Sequence, residues 1–258
     1  MHADRGDGGG GGGGDGGGGE GGRRDGGGDG PAGEPRTSRA PQTRPLPRSF
    51  FAREPIEVAA DLIGCLLVSP VAGAPRDPIT VRVTEVEAYH GEQDPASHAY
   101  RGPTPRTAVM FGPPGFLYVY FVYGMHWCAN IVTGVDGEAS AVLLRAGAVT
   151  GNLPAARDRR RSPRGSVPRD VDLAKGPARL AGTLGLTGAD SGADLCRAGA
   201  PFRVCPGDGA PIQVQTGPRV GVAAAGEIPW RFFDPTSPTV SAYRAGGRRR
   251  TPRAAADR

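Results

Sequence analysis

The spacing of apolar residues and turns points to a mixed α+β fold in which strands dominate. Short β-rich runs recur between Gly, Pro and Asp turns from Leu62 to Ala146. Only two segments carry helical spacing, and a tail precedes everything: the first 33 residues hold 19 of the chain's 44 glycines and almost no apolar side chain. Such a tail buries too little surface to offset its ordering entropy and is expected to be disordered. It lacks the apolar stretch of a signal peptide, and its acids argue against a transit peptide. No strand precedes it and no Gly-Lys-Ser/Thr closes it, so a solubilising or linking tail is preferred to a phosphate loop. The expected organisation is a disordered tail over 1–45, one folded domain over 46–244 and a basic tail over 245–258.

Along the chain, Pro47 to Ala60 reads as a short helix, with Pro55 suited to a first turn. Leu62 to Val68 is a compact apolar run, a buried strand ended by Ser69-Pro70. Ile79 to Tyr89 alternates, which places Val81, Val83, Glu85, Glu87 and Tyr89 on one face. Its apolar first half and acidic second half describe a strand leaving the core for a pocket or the surface. His90 to Pro114, rich in Gly, Pro and polar residues, reads as a long functional loop. Leu117–Val122 and Trp127–Thr133 are strands joined across Tyr123-Gly124-Met125-His126, with Gly124 supplying positive φ. Ala141 to Ala146 is a further strand. A basic link with Arg157, Arg159, Arg160, Arg161, Arg164 and Arg169 follows. Asp172 to Leu184 has helical spacing that Pro177 limits at its start, and Ile212 to Val222 offers one or two strands.

Beyond residue 33 the chain carries 28 basic and 20 acidic residues, so the folded part is more basic than the whole-chain net charge of +5. That balance favours a polyanionic partner. No apolar run is long enough to span a bilayer, and a soluble, cytoplasmic, monomeric protein is expected. Cys65, Cys128, Cys196 and Cys205 lie 63, 68 and 9 positions apart without CxxC spacing, so no metal site is expected. Cys65 and Cys128 read as buried small hydrophobes, and pairing of Cys196 with Cys205 is disfavoured in a reducing compartment. Lys175 is the single lysine beside 30 arginines, so chemistry through a lysine Schiff base has one candidate at most.

Glu87 is the candidate general base: it ends a strand, Tyr89 shares its face, and His98 follows in the polar loop. The plainer reading makes Glu85 and Glu87 the solvated face of an edge strand, and Glu85 is read as structural. Among the aromatics, Phe121 and Tyr118 are read as core, with Tyr120 on the Tyr118 face. Tyr123 differs, because a hairpin tip cannot be buried by its own strands. Together with Met125 it forms an apolar wedge of the kind that enters between base steps. A basic surface, a carboxylate and a ring-lined pocket suit chemistry on an extruded base. Two alternatives use the same features: a nucleic-acid-binding domain without catalysis, which has no need of Glu87, and a carbohydrate hydrolase, which needs a second carboxylate.

From Arg48 to Ser241 the chain resembles the alkyladenine (3-methyladenine) DNA glycosylase family. The resemblance rests on Val83-Thr84-Glu85-Val86-Glu87-Ala88-Tyr89, Asp94-Pro95-Ala96-Ser97-His98, the run from Gly115 to Met125, Cys128-Ala129-Asn130, Val142-Leu143-Leu144-Arg145-Ala146, Gly176-Pro177-Ala178-Arg179-Leu180 and Arg219-Val220-Gly221-Val222. It implies one α+β domain around an antiparallel sheet with a protruding β-hairpin, without metal or organic cofactor. It further implies that Glu87 activates water beside Arg145 and the Val220 carbonyl. Tyr89, His98 and Tyr120 would hold the flipped base, Asn130 would exclude 2-amino purines, and Leu143 would line the pocket. Tyr123, with Met125, would fill the gap left in the duplex, and Lys175 would meet backbone phosphate. The implied partner is double-stranded DNA containing damaged purines. His126-Trp127 and Lys175 depart from the family's usual residues.

Overall fold

The computed structural model describes residues 44–207, 209 and 211–247; the glycine-rich tail through residue 43 and the basic tail from residue 248 lie outside the described residues. The segment expected as one helix is two, α1 (Arg48–Phe51) and α2 (Pro55–Leu62). Pro55 has no N–H with which to prolong a preceding helix, yet suits the first position of the next. Leu62, expected to open a strand, therefore closes α2, and Gly64 at φ 88° turns the chain into β1 (Leu66–Ser69). β2 (Ile79–Tyr89), β3 (Leu117–Val122) and β4 (His126–Val132) follow at the expected places.

β5 (Ala141–Gly151) runs five residues past its expected end. Gly147 explains both the extension and its illegibility. A side chain there would meet the Arg82 carbonyl at 2.6 Å, so the glycine that weakens the strand pattern is what lets β5 lie against β2. The expected basic link begins instead with α3 (Leu153–Arg159). Asn152 caps it: the side chain accepts from the Ala155 N–H at 3.1 Å and donates to the Asp77 carbonyl at 2.6 Å. The arginines of this stretch fold back on the domain, Arg157 onto Asp170 at 2.8 Å and Arg159 onto the Pro70 carbonyl at 2.6 Å. α4 (Pro177–Leu184) starts at its proline and ends at Gly185, φ 68°. Three short strands complete the sheet: β6 (Arg203–Cys205), β7 (Gln215–Gly217) and β8 (Arg231–Phe233).

All pairings are antiparallel, in the order β3-β4-β5-β2-β1-β6. β2 has β5 along one edge for its whole length. Along the other edge its first half pairs with β1, and its second half, from Glu85 to Glu87, pairs with β8. Three irregularities interrupt the β2–β5 ladder. Thr150 is extra on β5, between Gly151 and Val149. Thr84 is extra on β2, between Val83↔Gly147 and Glu85↔Ala146, and Arg145 is extra on β5, between Ala146 and Leu144. The bulge corrects the expected face assignment. Val81 and Val83 share the main core with Val86 and Ala88, so parity switches at Thr84, and Glu85 and Glu87 face away from the valines.

The main core lies between the sheet and the helices, centred on Phe51, Leu62, Val83, Leu144 and Leu180. A smaller cluster of Ala99, Met110, Tyr118, Val132 and Ala141 holds the 90–114 loop over β3 and β4. All four cysteines are free. Among the described residues no helix is long and apolar enough to cross a membrane, and no cluster of His, Cys, Asp or Glu could hold a metal ion.

Candidate active site

A cavity of about 350 Å³ opens between the second half of β2, the β3–β4 pair and the 219–222 segment. It gathers Tyr89, His98, Tyr120, Tyr123, Asn130, Leu143, Arg145 and Val220 from stretches far apart in sequence. The ladder explains part of this: Leu143 lies opposite both Glu87 on β2 and Asn130 on β4. Tyr118, expected in the core, is indeed buried, but it also lines this cavity.

Glu87 is beneath the wall and wholly buried. One carboxylate oxygen, Oε1, accepts from the Val220 N–H at 2.6 Å. The other, Oε2, accepts from the Tyr89 hydroxyl at 2.9 Å and Arg145 Nη1 at 3.2 Å. Burial, and then the adjacent Glu87 charge, push the Tyr89 phenol well above its ordinary value, so it stays a donor. Arg145 is at the β5 bulge, where its side chain leaves the regular alternation. Its Nε donates to Glu85 at 2.8 Å. Burial opposes its charge, but Glu87 and Glu85 outweigh that and hold the guanidinium above its usual range.

Glu85, read from sequence as structural or as part of a solvated edge, is wholly buried. It accepts from Arg145, from Arg231 Nε at 2.8 Å, and from the Ser241 N–H and hydroxyl at 2.7 and 2.9 Å. Burial pushes its carboxyl up; the Arg145 charge, the Ser241 N–H and Arg231 together bring it below its ordinary value.

His98 projects into the cavity mouth from the long loop. Its ring stands edge-on to Tyr120, centroids 4.5 Å apart, while Tyr120 stacks on Tyr118 at 5.5 Å. His98 is exposed as a residue, but desolvation where its ring packs on Tyr118 and Tyr120, and then the Arg106 charge, push the imidazole down to about 4, so the ring is neutral at physiological pH. Asn130 is buried, with its amide donating to the Tyr118 carbonyl at 3.4 Å.

At the β3–β4 tip Tyr123 is 85% exposed at φ 53°, and Met125 is 68% exposed. Phe121, expected in the core, is 46% exposed and rests on Trp127 at 4.7 Å. Burial falls along β3 toward this tip, from buried Leu117, Tyr118 and Val119 to exposed Phe121. Met125 and Lys175 do not line the cavity. Lys175 Nζ donates to the Pro238 carbonyl at 2.7 Å.

Sequence reading missed a buried pair behind this site. Arg219 forms a bidentate contact with Asp94 at 2.5 and 2.9 Å, both side chains being wholly buried. It also donates to the Ala88 carbonyl and lies over the Tyr89 ring at 4.7 Å. Asp94 in turn accepts from the Ala96 N–H at 3.0 Å. One guanidinium thus locks the His98 loop, the end of β2 and the residue before Val220 together. Both residues occur in distinctive motifs, but nothing in their spacing links them.

A family model described as methylpurine-DNA glycosylase (MPG) matches residues 49–238. The chain belongs to the methylpurine-DNA glycosylase family. Relatives bearing the name "Putative 3-methyladenine DNA glycosylase" include one from Streptomyces avermitilis, 52% identical over 214 residues, covering 82% of this chain and 97% of the relative. Others are from Frankia casuarinae, 47% identical over 76% of this chain and 91% of the relative, and Burkholderia lata, 45% identical over 76% and 90%. The methylpurine-DNA glycosylase match includes the cavity-lining residues and Glu87, and stops three residues before Ser241.

Proposed function

We propose that this protein is a DNA glycosylase that turns a damaged purine out of duplex DNA and hydrolyses its N-glycosidic bond with water activated by Glu87. The observation that carries the reading is the lone-pair arithmetic of Glu87. A carboxylate offers about four acceptor sites, and three are taken by Val220, Tyr89 and Arg145. One remains, on a base fixed in orientation behind an open cavity. A water held there, with Arg145 and the Val220 carbonyl as its other partners, loses a proton to Glu87 as its oxygen bonds to C1′. The C1′–N bond breaks and its electron pair leaves with the base.

Alkylated purines carry positive charge and accept those electrons readily, so orientation and one base suffice. Tyr89 and Tyr120 would hold such a ring through their π faces, and the neutral His98 adds no repelling charge. Deaminated and etheno purines are the other expected substrates. Tyr123 and Met125 would occupy the gap in the duplex and Lys175 would meet a phosphate, the enzyme working as an intracellular monomer on double-stranded DNA. A two-carboxylate sugar hydrolase is disfavoured, because Glu85, the nearest second acid, is saturated by four donors. Release of free base from duplexes containing 3-methyladenine, hypoxanthine or ethenoadenine tests the reading. Tight binding to these duplexes without release of any base would replace it with a damage-binding module.

A further inference from the structure

The last described stretch of the chain runs behind the candidate site. It lies beyond residue 238, where the family match ends. Thr239 Oγ1 is 2.8 Å from Oγ1 of Thr84, the bulged residue of β2. Ser241 donates twice to Glu85, receives Arg145 Nη2 on its hydroxyl at 3.3 Å, and receives Arg231 Nη2 on its carbonyl at 2.8 Å. Further on, the Arg244 carbonyl accepts from the Gly221 N–H at 2.9 Å. Gly246 passes so close to Val222 that a side chain there would collide with the Val222 carbonyl. Residues 239–246 thus touch the bulge, Arg145 and the Val220–Val222 segment in turn.

Arg145 needs such support. As the extra residue of a bulge it has no partner in the β2 ladder. The hydrogen bonds that orient its guanidinium go to Glu85, Glu87 and Ser241. Glu85 Oε1 is shared among Arg145, Arg231 and the Ser241 hydroxyl, so the position of Ser241 fixes where Glu85 meets Arg145. A fully buried carboxylate keeps its charge only with partners of this kind.

We propose that residues 239–246 form a strap that sets Arg145 against Glu87, with Ser241 as its positioning residue. This rests on the reading of Glu87 as the base. The strap touches neither base nor sugar; it acts through Arg145. A displacement of about 1 Å in a reacting group costs on the order of 100-fold in rate. Losing one hydroxyl while the Ser241 N–H stays should cost less, roughly tenfold.

The test compares full-length wild type, Ser241→Ala, Ser241→Thr and Gly246→Ala in single-turnover release of hypoxanthine from a duplex. Affinity for the same duplex is measured in a Glu87→Gln background, and melting temperature for each variant. Ser241→Ala is expected to slow release about tenfold with Kd within about twofold, and Ser241→Thr to restore most of the rate. Gly246→Ala, which pushes the strap from Val222 and leaves Ser241 intact, is expected to slow release in the same way. Wild-type rates in both Ser241→Ala and Gly246→Ala would overturn the proposal. So would losses that follow Kd or melting temperature and are not rescued by Thr. If the wild-type chain itself releases no base from any lesion duplex, the glycosylase reading fails and the strap with it; activity in wild type and in the strap variants alike removes the strap alone.

Discussion

Replacing Glu87 with Gln separates chemistry from binding, and the geometry sets the size of each effect. If the amide oxygen keeps the position of Oε2, the bonds from Tyr89 and Arg145 survive in weaker form. The amide nitrogen then faces the Val220 N–H, donor against donor, and that contact is lost. Leaving one buried donor unsatisfied costs about 1–3 kcal/mol of stability. Arg145 retains Glu85, so the larger penalty of an orphaned buried charge, about 3–5 kcal/mol, does not arise. The folded state survives, and so does the cavity. Proton abstraction does not: loss of a positioned general base costs about 10²–10⁴ in rate, or about 2.7–5.4 kcal/mol in the barrier. In single-turnover release of hypoxanthine from a duplex, Glu87→Gln should therefore fall by at least about a hundredfold, with duplex affinity within about threefold of wild type. A release rate within tenfold of wild type would remove Glu87 from the chemistry; a loss of affinity equal to the loss of rate would make it a binding residue.

Tyr123→Ser should weaken activity most on well-paired lesions, where unstacking costs a few kcal/mol, and least on single strands; equal losses on both would reduce Tyr123 to a packing residue. No Schiff-base intermediate is expected, because the only lysine is tied to the Pro238 carbonyl; a borohydride-trapped adduct that vanishes in Lys175→Ala would show otherwise. Arg219→Met breaks a pair with no exposure on either side and should cost about 3–5 kcal/mol in denaturant unfolding, whereas a loss below 1 kcal/mol would deny the pair its role in holding the His98 loop. Acid should destabilise the fold in two stages. His98 is depressed from 6.5 to about 4, so the unfolded chain binds the extra proton in that window and stability falls as pH drops through it. Glu85, lowered from 4.5, stabilises above that value and loses its contribution as pH falls through its folded value. Flat stability between pH 6.5 and 4 would contradict the first stage, and His98→Gln should flatten it.

The strands that carry the candidate site were legible where periodicity is strong. Ile79–Tyr89 and Leu117–Val122 alternate over enough residues to mark their own limits, and a glycine marks the hairpin between Val122 and His126. What failed was parity. One extra residue at Thr84 turns every later side chain of β2 to the other face, and no local pattern announces a bulge. Three-residue strands such as β6 and β8 are too short to show a period, although β8 carries Arg231 to Glu85. Arg219 and Asp94, 125 positions apart, are joined only by the fold. The arginine-rich stretch before α4 misled for a different reason: its composition resembles a linker, but its charges have acidic and carbonyl partners that composition does not reveal.

The donors that Glu85 receives from Ser241 also impose an order in time. Glu85 and Ser241 are 156 residues apart. At about 5–20 residues per second, the ribosome needs roughly 8–30 s to pass from one to the other. Throughout that interval the sheet strand bearing Glu85 and Glu87 exists without the groups that complete its charge balance. Assembly of this pocket is therefore among the last events of biogenesis, and a chain released early, before residue 241, leaves an ionisable group in β2 without its final partners.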